Sequence, residues 1–124
     1  MVNTEGYKNL IVWQKSDELV LLIYSQTKQF PKDELFGLTS QIRRASVSIP
    51  TNIVEGYARN SKTQLRRFVV IALGSLAEVK YLLSLAVRLT YLDEKTYASL
   101  KNRLEEIGRL LWKFYQSLSL ASIH

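Results

Sequence analysis

Apolar positions recur every three or four residues along most of the chain, and nowhere do they alternate as in a half-buried strand. The pattern predicts four helices. The first runs from about Val12 to Thr27, with Leu19, Leu22, Ile23 and Gln26 on its inner face, and ends before Phe30-Pro31, because a residue preceding proline disfavours the α region. The second runs from about Leu38 to Ala58, with Leu38, Ile42, Ala45, Ile49 and Ile53 inward. Pro50 lies inside it, removes one backbone donor and crowds the Ser46 carbonyl, so a kink is expected. Asn60-Ser61 reads as a turn and N-cap. The third helix, about Lys62 to Thr90, keeps the register Leu65, Phe68, Ala72, Leu76, Val79, Leu83, Ala86. Asp93 caps the fourth, whose seam is Tyr97, Leu100, Leu104, Ile107, Leu111, Phe114 and Leu118.

Short connections make neighbouring helices antiparallel, so the fold class is all-α: an up-down-up-down four-helix bundle with a kinked second helix. A chain of 124 residues makes one such domain, with its ordered core at about 8–119. Small residues on helix two (Ala45, Ser46, Ser48) and helix three (Ala72, Gly74, Ser75, Ala77) would let those two helices approach closely. Helix three is also apolar on its far side, at Val70, Leu73, Ala77 and Tyr81. A helix apolar nearly all round must be covered on more than one side, and in so small a bundle the cover would come from another copy of the chain. Trp13, Trp112 and Tyr115 join Val70, Leu73 and Tyr81 as candidates for an oligomer or partner interface, since amphipathic aromatics concentrate at contacts.

Charge changes the picture. Of a formal net charge of +6, residues 61–92 hold five basic groups against Glu78 alone, and no acid falls between Glu55 and Glu78. Arg59, Lys62, Arg66 and Arg67 lie in that gap, one helical turn or one loop apart, and with Arg43 and Arg44 form the candidate nucleic-acid-binding set. Such an excess attracts polyanions; the plain alternative is a solvated surface kept soluble by charge. For Arg43-Arg44 the alternative is pairing with Glu55 or a neighbouring subunit. Glu55 and Glu78, standing among apolar residues, would pair with Arg43, Arg44 or Lys80, and Glu105-Glu106 would be solvated. Only Tyr57 and Phe68 are interleaved with the arginines, weak support for sequence-specific single-strand recognition.

Catalytic chemistry is sparse. Cysteine is absent, which excludes disulfides and thiolate chemistry, and the one histidine is His124 at the very end, so neither a di-iron site nor a hydrolytic triad has its residues. No phosphate-cradling Gly-x-x-x-x-Gly-Lys loop or dinucleotide fingerprint occurs. The expectation is a protein without catalytic activity, cofactor or metal. The N-terminus lacks a signal-peptide pattern and no uncharged apolar run reaches membrane-spanning length, so a cytoplasmic location without a membrane partner is expected.

Certain segments carry a family resemblance. Leu10-Ile11-Val12-Trp13-Gln14-Lys15, Phe30-Pro31 and Gly37-Leu38-Thr39-Ser40-Gln41-Ile42-Arg43-Arg44-Ala45 are three of them. Ser48-Ile49-Pro50-Thr51-Asn52-Ile53-Val54-Glu55-Gly56 and Ala72-Leu73-Gly74-Ser75-Leu76-Ala77-Glu78 complete the set. From about Tyr7 to Leu118 the chain resembles the four-helix-bundle proteins encoded in intervening sequences of bacterial 23S ribosomal RNA genes. Thr51 and Val54 stand where alanine is common in that family. The resemblance implies a homopentameric ring with a central channel, an architecture shared with the accessory variability proteins of diversity-generating retroelements. Those proteins bind nucleic acid and a reverse transcriptase through a basic surface. By that analogy the partners here are RNA or DNA, or alternatively a protein such as a nucleic-acid enzyme.

Overall fold

The computed structural model describes residues 5–119. Among them are four helices and no strand: α1 (Ile11–Thr27), α2 (Leu38–Ala58), α3 (Lys62–Arg88) and α4 (Glu94–Ser117), with short 3-10 turns at Gly6–Asn9 and Lys32–Glu34. α2 has the bounds its periodicity predicts and runs unbroken through Pro50, which is itself buried. α3 stops two residues before Thr90. There Thr90 takes a left-handed φ of 65°, and the Tyr91 and Thr90 amides donate to the Ala86 and Val87 carbonyls, both at 2.9 Å. This paired arrangement satisfies the last orphan carbonyls and turns the chain out of the helix. Asn60, at φ 54°, makes the corresponding left-handed step between α2 and α3, which a short polar side chain tolerates.

The helix starts are fixed by side-chain oxygens. Ser61 Oγ accepts from the Gln64 amide, and Asp93 from the Thr96 amide at 2.6 Å, which holds the Asp93 carboxyl below its ordinary range. The cap of α2 comes from a residue outside the sequence reading. Glu34 Oε1 accepts from the Leu38 amide at 3.1 Å, while its Oε2 accepts from the Tyr91 hydroxyl at 2.9 Å. That bond raises the Tyr91 phenol above its usual range and ties the start of α2 to the α3–α4 connection.

Each helix packs against two others: α2 lies between α1 and α3, and α4 closes the bundle against α3 and α1. Leu19 and Ile23 of α1, Ile42, Ile49 and Ile53 of α2, Val69, Ala72 and Val79 of α3, and Leu104, Ile107 and Leu111 of α4 are buried at 0–1% exposure. These are the positions that the three-four spacing sets inward. The α2–α3 contact is the most intimate. A Cβ on Gly56 would lie 2.8 Å from Phe68 Cβ and 3.2 Å from Leu65 Cα, so α2 touches the backbone of α3 there. Further along the same contact, the Ser48 and Ser75 hydroxyls share a 2.7 Å hydrogen bond, and Asn52 Nδ2 donates to the Ser48 carbonyl and hydroxyl.

Two expectations are corrected. Gly74 and Ala77 do not join this helix contact: both are exposed, and nothing lies within 4 Å of a Cβ built on Gly74. Their spacing from Ala72 and Ser75 turns them to the opposite face of α3. Glu55 and Glu78 are exposed rather than set in an apolar interior, and among the described residues neither forms an ion pair. Glu106, by contrast, reaches across to Lys15 at 3.8 Å. α3 also contains an 18-residue window of mean hydropathy 1.8, enough by length and composition alone to cross a membrane. Its Phe68, Val69, Ala72, Leu76, Val79 and Leu83 are instead buried in the protein core.

Two of the helical glycines, Gly56 and Gly74, thus predict opposite outcomes in thermal denaturation. Gly56→Ala gains helix propensity of up to about 1 kcal/mol but overpacks a backbone contact, at a cost of about 1–3 kcal/mol, and lowers Tm. Gly74→Ala meets no neighbour within the chain and leaves Tm unchanged or raises it.

Candidate nucleic-acid interface

Three residues, Arg59, Asn60 and Ser61, connect α2 to α3, so the close approach at Gly56 also fixes where the flanking cations stand. Arg59 places its guanidinium 5.2 Å from the centre of the Phe68 ring, and Arg67 lies 5.8 Å from the same ring. Two arginines, one from the α2–α3 connection and one from α3, therefore converge on one aromatic side chain. Lys62 is exposed in the first turn of α3. Arg66 turns toward α4, where its guanidinium lies 4.0 Å above the ring of Tyr115. These aromatic contacts orient the guanidinium planes without neutralising them. Among the described residues, none of the four has a carboxylate within ion-pairing distance.

Arg43 stands apart. Its Nε donates to Thr27 Oγ1 at 2.8 Å, its Nη2 to the Tyr24 carbonyl at 3.4 Å, and its guanidinium covers the Tyr24 ring at 4.6 Å. A cation is thus held at the C-terminal turn of α1, where free carbonyls and the helix dipole favour it. Its partners are the Thr27 hydroxyl and the Tyr24 carbonyl of α1, not Glu55. Arg44 points elsewhere. It is exposed and lines an open cleft with Phe36, Ser40, Gln41, Ala45, Ser48 and Glu78.

The six interface candidates also divide. Val70 and Tyr81 are 49% and 59% exposed, and Ile71, Gly74 and Ala77 lie uncovered with them on the outer face of α3. Leu73 is half-buried against the core, so it is not part of that face. Trp13 is half-buried too, packed edge-on against Tyr7 at 4.9 Å. Trp112 is 52% exposed and stacks on Tyr115, with centroids 5.3 Å apart and planes inclined by 23°. Sequence spacing missed the meeting of Tyr115 with Arg66, because they are 49 positions apart and only the α3–α4 packing joins them. The available signal was an amphipathic aromatic, Tyr115, standing outside the α4 seam. Phe36, 93% exposed in the loop before α2, also went unnoticed. Among the described residues no three His, Cys, Asp or Glu side chains come together as a metal site, and His124 lies outside those residues.

The fold and this surface define a small helical bundle with a basic face that forms no ion pair among the described residues. The chain belongs to the 23S rRNA-intervening sequence protein family, whose model matches residues 8–113. It is also similar to a solved structure of a protein with unknown function from the S23 ribosomal protein family, from Bacteroides thetaiotaomicron VPI-5482. The two are 30% identical and superpose with a TM-score of 0.79, over 86% of this chain and 96% of that one. No protein of curated function matches the chain.

The two adjacent arginines should respond differently to substitution. Arg43→Ala removes a charged hydrogen bond and a ring contact and lowers stability by about 1–2 kcal/mol, read by urea denaturation. Arg44→Ala, at an exposed position, changes it by less than about 0.5 kcal/mol.

Proposed function

We propose that this protein is a non-enzymatic, oligomeric nucleic-acid-binding protein of the cytoplasm, acting on RNA through Arg59, Lys62, Arg66 and Arg67. The observation that carries the reading is the gathering of four cations around the α2–α3 turn, with three guanidiniums laid on aromatic rings and no carboxylate partner among the described residues. A guanidinium held in this way keeps N–H groups free for the paired bonds that phosphate accepts. A surface charged only for solubility does not require such ordering. The family's association with ribosomal RNA genes makes RNA the first ligand to test.

In this reading the chain is an up-down-up-down antiparallel bundle, kinked at Pro50, and assembles as a homopentameric ring. Support comes from the outer face of α3, where Val70, Ile71, Gly74, Ala77 and Tyr81 form an apolar stripe that none of the described residues covers. A ring would repeat the basic cluster and raise avidity without any new contact. A second reading, a scaffold that docks a protein partner, is favoured by Phe36, a large apolar side chain left almost wholly exposed.

Two measurements test these proposals. Binding of a structured RNA across a salt series should show a steep log–log slope. The Arg59/Lys62/Arg66/Arg67-to-alanine variant should weaken binding and reduce that slope by roughly two to three units. Binding that keeps its slope in the variant would contradict the assignment. Light scattering should give an oligomer for the native chain and a smaller species for Val70→Glu/Tyr81→Glu. A native mass near 14.3 kDa would sink the ring.

A further inference from the structure

The phosphate-binding reading leaves one feature of the surface without a role. Trp112, the most exposed of the aromatic residues on α4, is stacked on Tyr115, and Tyr115 in turn carries the Arg66 guanidinium at 4.0 Å. Tyr115 thus links the indole of α4 to a guanidinium of α3 through two ring contacts. Of the three groups, only Trp112 is left half open to solvent. Against Tyr115 lies a cleft of ≈170 Å³, lined also by Thr63, Arg66, Arg67 and Val70. Arg66 Nε is buried there without a hydrogen-bond partner. On α4 itself, Arg109 sits one turn before Trp112 and Lys113 follows it, both exposed; Glu105 is the acid two turns back along the same face.

We infer that Trp112 is a stacking platform for an unpaired nucleobase, with Arg66 and Arg67 taking the adjoining phosphate. This deepens the proposed function and rests on it: the cluster at the α2–α3 turn binds backbone, and the α4 platform selects strands with exposed bases. The chemistry is direct. Any base has a π face, a half-exposed indole already stacked on one side offers the complementary one, and the neighbouring cations neutralise the phosphate that a splayed base brings with it. A base inside a duplex cannot reach such a platform, because its faces are occupied by its own neighbours. A buried apolar anchor for another protein would not need a guanidinium on the neighbouring Tyr115 ring or the cations that flank Trp112 in sequence.

The test uses the full chain in its native assembly. The probes are an oligoadenylate of roughly ten nucleotides, the matching oligodeoxyadenylate, and a blunt RNA duplex of similar length. In a Trp13→Phe background the remaining indole fluorescence should be quenched by the single strands and not by the duplex. Trp112→Ala should weaken single-strand binding roughly tenfold while duplex binding stays within about twofold, and Trp112→Tyr should recover most of the loss. Equal affinity of Trp112→Ala for single strands, with duplex binding intact, overturns the platform and leaves the phosphate surface standing. No binding of any probe by the native protein overturns both. A change of oligomeric mass in Trp112→Ala makes the residue a subunit contact and likewise overturns the platform. Comparing the ribo- and deoxyribo-oligomers identifies which nucleic acid supplies the base.

Discussion

The approach of α2 to α3 at Gly56 sets the geometry on which the rest of the molecule depends. A glycine there lets one helix touch the backbone of the other across Leu65 and Phe68, and the Ser48–Ser75 hydrogen bond keeps the pair in register farther along. With the helices this close, three residues suffice to connect them, and Asn60 supplies the left-handed step that reverses the chain. The same contact places Phe68, buried at its Cβ yet bordered by guanidinium groups, between Arg59 and Arg67. Packing and charge are therefore coupled: what brings the helices together also aligns the cations.

The electrostatic consequence is an ordered basic surface. Cation–π contacts of this kind are worth about 0.5–1 kcal/mol at exposed sites, too little to hold the fold together. They are enough to restrict long, flexible side chains, whose ordering would otherwise cost free energy at the moment of binding. Acids that could have cancelled the charge stand elsewhere: Glu18 and Glu106 are engaged between α1 and α4, and Glu34 joins the α2 start to Tyr91. Arg43 is spent on the end of α1. Segregation of this kind leaves one face basic, as the proposed nucleic-acid binding requires, and another, along α3, apolar.

Periodicity made the helices legible to within two residues, because burial and helical spacing are the same fact at positions such as Ile42, Ile49, Ile53, Leu104 and Leu111. Caps at Ser61 and Asp93 were legible for the same local reason. What composition could not separate was the two sides of a stripe of small residues. Ala72 and Ser75 face α2, whereas Gly74 and Ala77 face outward, and only the rotation of α3 in the bundle decides which is which. The carboxylates misled in a similar way, since apolar neighbours in sequence do not bury Glu55 or Glu78 when those neighbours point inward. Of the site, the local cluster from Arg59 to Arg67 could be read from spacing. The meeting of Tyr115 with Arg66 could not, being a product of α3–α4 packing.

The central claim, that nucleic acid is bound across the α2–α3 turn and the adjoining face of α4, is tested most directly by mapping where RNA touches the protein. Photochemical crosslinking of the native assembly to a stem-loop RNA, followed by mass spectrometry of the crosslinked peptides, reads this residue by residue. The account predicts crosslinks in the peptides spanning residues 57–68 and 110–116. Crosslinks confined to α1 or to the loop around Phe36, with none in those peptides, would contradict it.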